Sequence, residues 1–256
     1  MTVPTDWFIS RATGTPPGAR VFCFPHAGGN PRTFLGWQAA LGADAEILAV
    51  CRPGREHRAH EPAPTFEEYA DGAAEAIRAV SEGDDRPVYL FGHSLGALVA
   101  FEVARRLAGL PTLRHIVASG VSAPSLLPSQ RVRDIAGLEG KAFAEAIGFF
   151  GGLPPEVVAD EELHEVLLPG LIADFHLAVG YVYRPAAPLA VNVSLINGLD
   201  DPHVGPAELE PWRAEVREAP ARHWADGGHF YFEKRPEAVT DLLRDVVRAD
   251  QHVELI

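Results

Sequence analysis

The heptapeptide Phe91-Gly92-His93-Ser94-Leu95-Gly96-Ala97 constrains this chain more than any other segment, because of what flanks it. The apolar run Val88-Tyr89-Leu90-Phe91 reads as a buried strand, and a helix-patterned stretch begins at Ala97. Strand, Gly-x-Ser-x-Gly and helix in that order describe a very tight turn. A side chain at either glycine would collide with the neighbouring strand or helix. Ser94 is therefore expected in a strained, exposed position, at a nucleophile elbow.

Such a turn needs an alternating fold around it, and the remaining pattern supplies one. Strands are predicted at Arg20 to Phe24, Ala45 to Val50, Pro87 to Phe91, His115 to Ser119, Val191 to Ile196 and Ala221 to Trp224. Helices fit Pro31 to Leu41, Phe66 to Ser81, Ala97 to Leu107 and Pro236 to Arg248, with Thr65 and Glu68 as a capping box for the second. The alternation predicts an α/β fold, a mostly parallel central sheet flanked by helices. At 256 residues, 47% hydrophobic and 22% charged, one domain over residues 1–256 can bury a large core. The polar tail after Arg248 is expected to fray.

The stretch from about 123 to 188 breaks the alternation and is too long for a structureless loop. Leu163, Val166, Leu167, Leu171, Phe175, Ala178, Val179 and Val182 recur at helical steps, with Pro169-Gly170 expected to kink or split the helix. A second apolar piece runs through Phe143, Ile147, Phe149 and Phe150. The insertion is expected to form a helical lid over the carboxyl edge of the sheet. Phe149, Phe150, Phe175 and Tyr181 are the candidates for lining a chamber beneath it.

A serine hydroxyl becomes a nucleophile only when an imidazole takes its proton and a carboxylate orients that imidazole. His229 lies in Asp226-Gly227-Gly228-His229-Phe230, just past the short strand that ends at Trp224. The acid falls in Asn197-Gly198-Leu199-Asp200-Asp201-Pro202, where the spacing favours Asp201 and leaves Asp200 open. Both loops follow strands, where a parallel sheet gathers its functional groups. His93, at the variable place of the elbow, is expected to pack beneath the turn. The Leu95 N–H and a second N–H from the loop Pro25-His26-Ala27-Gly28-Gly29, with Ala27 the favoured donor, form the candidate oxyanion hole.

The chain carries 22 basic and 35 acidic residues, a net charge of −13 that argues against nucleic acid and anionic membrane surfaces as partners. Neither a leader-like amino terminus nor a membrane-length apolar run is present, so a cytoplasmic protein is expected. The two cysteines, Cys23 and Cys51, read as buried thiols, and no Cys or His spacing suggests a metal site. The chemistry requires no cofactor, and a monomer is expected.

Together, Phe24-Pro25-His26-Ala27-Gly28-Gly29, Arg52-Pro53-Gly54-Arg55-Glu56, Gly92-His93-Ser94-Leu95-Gly96-Ala97, Tyr181-Val182-Tyr183-Arg184-Pro185 and Gly227-Gly228-His229-Phe230 resemble the type II thioesterases of polyketide synthase and nonribosomal peptide synthetase pathways. The resemblance runs from about residue 20 to about residue 245. It implies an α/β-hydrolase fold with a helical lid, and hydrolysis of acyl groups from the phosphopantetheine arm of acyl or peptidyl carrier proteins. It assigns nucleophile, base and acid to Ser94, His229 and Asp201, and the oxyanion donors to Ala27 and Leu95. Met1 and the absence of an attached carrier segment favour a free-standing editing enzyme. The rival readings are a general carboxylesterase acting on small free esters, a terminal release domain, and a non-catalytic binding module. Carrier proteins are acidic by the same resemblance, so Arg131, Arg133 and Lys141 are the candidate docking charges.

Overall fold

Alternation along the second strand divides the core in two. Val21 and Cys23 point to one face and Phe22 and Phe24 to the other, all fully buried. A strand apolar on both faces needs helices on both faces, and the computed structural model, which describes residues 5–11, 16–149 and 151–253, shows that arrangement. Its seven strands are β1 Phe8–Ile9, β2 Arg20–Phe24, β3 Glu46–Val50, β4 Val88–His93, β5 Leu113–Ser119, β6 Asn192–Gly198 and β7 Ala221–Ala225. They pair in the order β1-β3-β2-β4-β5-β6-β7, every pair parallel except β1 with β3.

The helices are α1 Gln38–Leu41, α2 Phe66–Ser81, α3 Leu95–Arg106, α4 Gln130–Ala136, α5 Gly140–Phe149, α6 Pro155–Ala159, α7 Glu161–Val179, α8 Pro206–Leu209, α9 Tyr231–Lys234 and α10 Glu237–Val253. On one face, Phe66, Ile77, Leu98 and Phe101 of α2 and α3 pack with Phe22, Leu90 and Ile116 of the sheet. On the other, Val239, Leu243 and Val247 of α10 pack with Val21, Tyr89 and Val117. Thr65 caps α2 as expected: its hydroxyl accepts from the Glu68 N–H, and its own N–H donates to Glu68 Oε2 at 2.8 Å. Cys23 and Cys51 are buried free thiols.

Several expectations need correction. The two-residue β1 is too short to carry a periodic signal. Pro31 to Leu41 is not one α-helix: Pro31–Trp37 winds as a 3-10 helix before α1. That tighter winding eclipses positions i and i+3, bringing Phe34 and Trp37 together onto Phe91, ring centroids 5.8 and 5.1 Å away. Pro169 does not split its helix, and α7 runs unbroken for 19 residues. Pro169 and Glu165, whose carbonyl loses its intrahelical donor, both lie on the exposed side. The chain is still helical past Arg248, to Val253.

Between β5 and β6 the insertion forms its own small core, with Ile135 of α4, Phe143 and Ile147 of α5, and Leu168 and Leu171 of α7. Its return to the sheet is anchored by two tyrosines. Tyr181 OH donates to Glu102 Oε1 at 3.1 Å and Tyr183 OH to Glu215 Oε1 at 2.7 Å.

Candidate active site

β4 occupies a central place in the sheet, so the residue after it emerges at the middle of the carboxyl edge. That residue is Ser94, at φ 52°, ψ −118°, a backbone conformation that side chains avoid. Packing enforces it: a Cβ on Gly92 would stand 2.2 Å from Gly96 O, and one on Gly96 only 2.1 Å from Phe24 O. The Ser94 N–H is tied to Ser119 O at 2.8 Å, and its side chain makes no capping bond to α3. The hydroxyl is thus left to the cavity above. The Leu95 N–H opens α3, where no carbonyl of the helix can accept it.

The acid and base loops are stitched together by their backbones. Leu199 N–H donates to Ala225 O at 2.8 Å and Asp200 N–H to Gly227 O at 2.9 Å. This turns the Asp201 carboxylate inward, its Oδ2 2.8 Å from His229 Nδ1 and its Oδ1 accepting the His203 N–H at 2.8 Å. The Asp201 side chain is fully buried, whereas Asp200 is exposed. Burial alone would raise the Asp201 pKa, but the hydrogen bond to His229 and the His203 N–H outweigh it and hold the carboxyl below its ordinary value. An ionised acid on Nδ1 leaves Nε2 of His229 to exchange a proton with a substrate or nucleophile.

Three further histidines surround His229. His93 is fully buried beneath it, ring centroids 4.7 Å apart, with Nδ1 2.9 Å from Ser119 Oγ, which in turn lies 2.7 Å from Tyr231 OH. Burial, then the neighbouring imidazoles of His229 and His26, push its pKa well down. His26 and His203 face the cavity, and burial with repulsion from His229 lowers each to about 4. These rings are neutral near pH 7.

The loop after β2 makes a type II turn. Gly29 N–H donates to His26 O at 2.9 Å, Gly28 has φ +76°, and Ala27 stays at negative φ. Gly28 N–H donates to Asp174 Oδ2 at 2.7 Å. Asp174, on α7 and only 3% exposed, also accepts from Arg52 and Arg55, while Arg55 donates to Gly170 O at 2.7 Å. A buried carboxylate without a partner would cost several kcal/mol, which explains why two guanidinium groups converge on this one. The Arg-Pro-Gly-Arg string thus has a structural task that its sequence does not disclose. Asp174 was visible only as an acid interrupting the apolar stripe of α7 between Leu171 and Ala178.

Ser94, Leu95, Ala27 and His229 open onto one cavity of about 510 Å³, the size of a small-molecule site. The sheet edge forms its floor; Ile135, Ile147, Leu171 and Phe175 of the insertion form much of its apolar wall. Phe175 lines this cavity. Tyr181 does not: it is 3% exposed, packs on Phe66 with centroids 4.8 Å apart, and belongs to the α2–α3 core. Helix α7 ends at Val179, and the chain turns inward before Tyr181. Phe150 and the Phe149 side chain lie outside the described residues. Arg131, Arg133 and Lys141 are all exposed, and Arg131 also lines the cavity. Among the described residues no cluster of His, Cys, Asp and Glu could hold a metal ion, and no helix is long and apolar enough to cross a membrane.

Comparison with known proteins agrees with this geometry. The structure resembles that of the type II thioesterase BorB from the borrelidin biosynthetic cluster, with a TM-score of 0.81 and 31% identity over 94% of this chain and 97% of that one. The sequence is 33% identical to the thioesterase PikA5 of Streptomyces venezuelae over 96% of this chain and 87% of that protein. It is also 35% identical to the AMB antimetabolite synthetase AmbE of Pseudomonas aeruginosa over 95% of this chain, which spans only 11% of that much longer protein. The sheet order, the elbow and the helical flanks are those of the α/β-hydrolase fold. Residues 19–247 match the thioesterase domain family, and the chain accordingly belongs to the thioesterase family of hydrolases.

Proposed function

We propose that the protein is a serine thioesterase that removes acyl groups from the phosphopantetheine arm of acyl or peptidyl carrier proteins in polyketide or nonribosomal peptide biosynthesis. The observation that carries the mechanism is the His229 Nδ1 to Asp201 Oδ2 pair on the same cavity as a serine whose side chain makes no capping bond to α3. Ser94 attacks the thioester carbonyl as His229 Nε2 takes its proton, and the Ala27 and Leu95 N–H groups hold the oxyanion. The tetrahedral intermediate collapses, His229 returns the proton, and the pantetheine thiol leaves. His229 then draws a proton from water, which attacks the acyl-serine, and collapse releases the carboxylic acid and restores Ser94.

In this reading residues 1–256 form one domain, and the insertion at about 123–188 is its lid, covering an apolar chamber for the acyl chain. Arg131, Arg133 and Lys141, exposed on α4 and α5, attract an acidic carrier, with Arg131 at the cavity itself. Two unpaired buried thiols fit the reducing cytoplasm, where we place the enzyme. The deciding experiment loads carrier proteins with a panel of acyl groups and compares their release rates with hydrolysis of the matching free oxygen esters. Faster turnover of the oxygen esters, with no gain from the carrier, would instead identify a general carboxylesterase.

A further inference from the structure

The His26 to Gly29 turn contains one peptide that can flip. Type I and type II turns differ by rotating the central peptide by about half a revolution, at little cost to the rest of the turn. Here that peptide joins Ala27 to Gly28, and its N–H points at Asp174 Oδ2, 2.7 Å away. Flipped, it would present the Ala27 carbonyl oxygen to a buried carboxylate, and the repulsion excludes that state. The same hydrogen bond ties the turn, and with it the Ala27 N–H one peptide earlier, to α7.

We propose that Asp174 is a positioning residue for the oxyanion hole: it pins the Ala27–Gly28 peptide in the type II orientation and anchors the turn against α7, so that the preceding Ala27 N–H is held where the thioester oxygen develops its charge. The proposal rests on the Ser94 mechanism above. Arg52 and Arg55 pair with the carboxylate and hold it in place, and Arg55 also grips the helix through Gly170 O. Leu171 seals the contact, its Cδ1 standing 2.8 Å from where a Cβ on Gly28 would lie. Because Asp174 and Leu171 belong to α7, the hole is complete only while α7 is seated on the turn. Insertion and catalytic machinery are thereby coupled through one carboxylate 146 residues from the peptide it orients.

The test uses the full chain with Asp174→Ala and Asp174→Asn, an acyl-pantetheine thioester, and two inhibitors carrying the same acyl chain. A trifluoromethyl ketone forms a serine adduct bearing the oxyanion; a thioether without the carbonyl reports ground-state binding alone. Removing an oxyanion donor costs about 10²- to 10³-fold, and misaiming one should cost less. For Asp174→Ala the expected result is a fall in kcat of about 10- to 100-fold with KM nearly constant, a parallel loss of ketone affinity and unchanged thioether affinity. Asparagine keeps an acceptor for the Gly28 N–H and should limit the loss of kcat and of ketone affinity to about two- to fivefold, the loss expected of a neutral acceptor. Unchanged kcat in Asp174→Ala, or equal losses of ketone and thioether affinity, would overturn the proposal. If the alanine variant does not fold, Asp174→Asn must still lose ketone affinity selectively, and its failure to do so is equally fatal. Ser94→Ala is assayed alongside. Activity surviving there sinks the serine mechanism itself, whereas an inactive Ser94→Ala beside an unimpaired Asp174→Ala sinks only the role given to Asp174.

Discussion

Replacing Asp201 with asparagine tests the assignment of the acid with almost no change in volume. The His203 N–H already holds Oδ1 at 2.8 Å, so the asparagine carbonyl oxygen stays there and its NH2 group is turned toward His229 Nδ1. Nδ1 must then accept rather than donate. The ring proton moves to Nε2, the nitrogen that has to take the proton of Ser94, and the lost carboxylate no longer stabilises the imidazolium. A wrong tautomer of this kind costs about 10⁴-fold in kcat, equivalent to about 5 kcal/mol of transition-state stabilisation. KM should change little, because the carboxylate faces the imidazole rather than the acyl chain. Asp200 is exposed and engages the acid loop through its backbone, so Asp200→Asn should stay within about twofold of the parent. The assay is steady-state hydrolysis of an acyl-pantetheine thioester, with circular dichroism to confirm that both variants fold. An Asp201→Asn enzyme within tenfold of the parent, or a larger loss from Asp200→Asn, would refute the reasoning.

Ser94→Ala should lower hydrolysis by at least about 10³-fold and abolish the acyl-enzyme seen by mass spectrometry, while the melting temperature stays nearly unchanged because the Cβ and the backbone conformation are kept. Gly96→Ala should prevent stable folding, since its methyl would meet Phe24 O at 2.1 Å; a soluble variant with parental melting temperature contradicts that packing. His26 and His203 are lowered to about 4 and burial holds His93 well below its ordinary value, so the unfolded chain binds more protons than the native one below about pH 6.5. Stability is therefore full above that pH and lost as pH falls toward 4, and the protein should melt at a lower temperature at pH 5 than at pH 7.5; equal values would mean these rings are not buried neutral. Arg133→Glu with Lys141→Glu should slow turnover of carrier-bound substrate and spare the short acyl-pantetheine, and equal effects on the two would move the docking surface elsewhere.

The elbow was legible because the strand-turn-helix order itself brings the Gly96 carbonyl against Gly92, although the clash that keeps Gly96 bare comes from Phe24 and Pro25 at the end of β2, which no local pattern discloses. The strands were legible for a similar reason, since burial on both faces demands unbroken apolar runs. Asp200 and Asp201 could not be separated from sequence alone, because the choice between them depends on hydrogen bonds to a loop some 25 residues later, at Ala225 and Gly227. Asp174 and its arginines were less accessible still. Their pairing spans 122 and 119 residues, and a lone acid in an apolar stripe gives no hint of its partner. Tyr181 shows the limit of periodicity: helical spacing groups residues on a face but does not say where the helix stops, and Gly180 ends α7 before the stripe does.

The burial of Cys23 and Cys51 bears on how the enzyme can be watched. Both thiols are at most 1% exposed, and burial pushes the pKa of each upward, so neither supplies an appreciable thiolate. Pantetheine leaves the active site as a free, solvated thiol. A chromogenic disulfide, which reports only accessible thiolate, should therefore register each turnover against a silent protein background. The native chain can be followed continuously in this way, with no cysteine replaced and no separation of products.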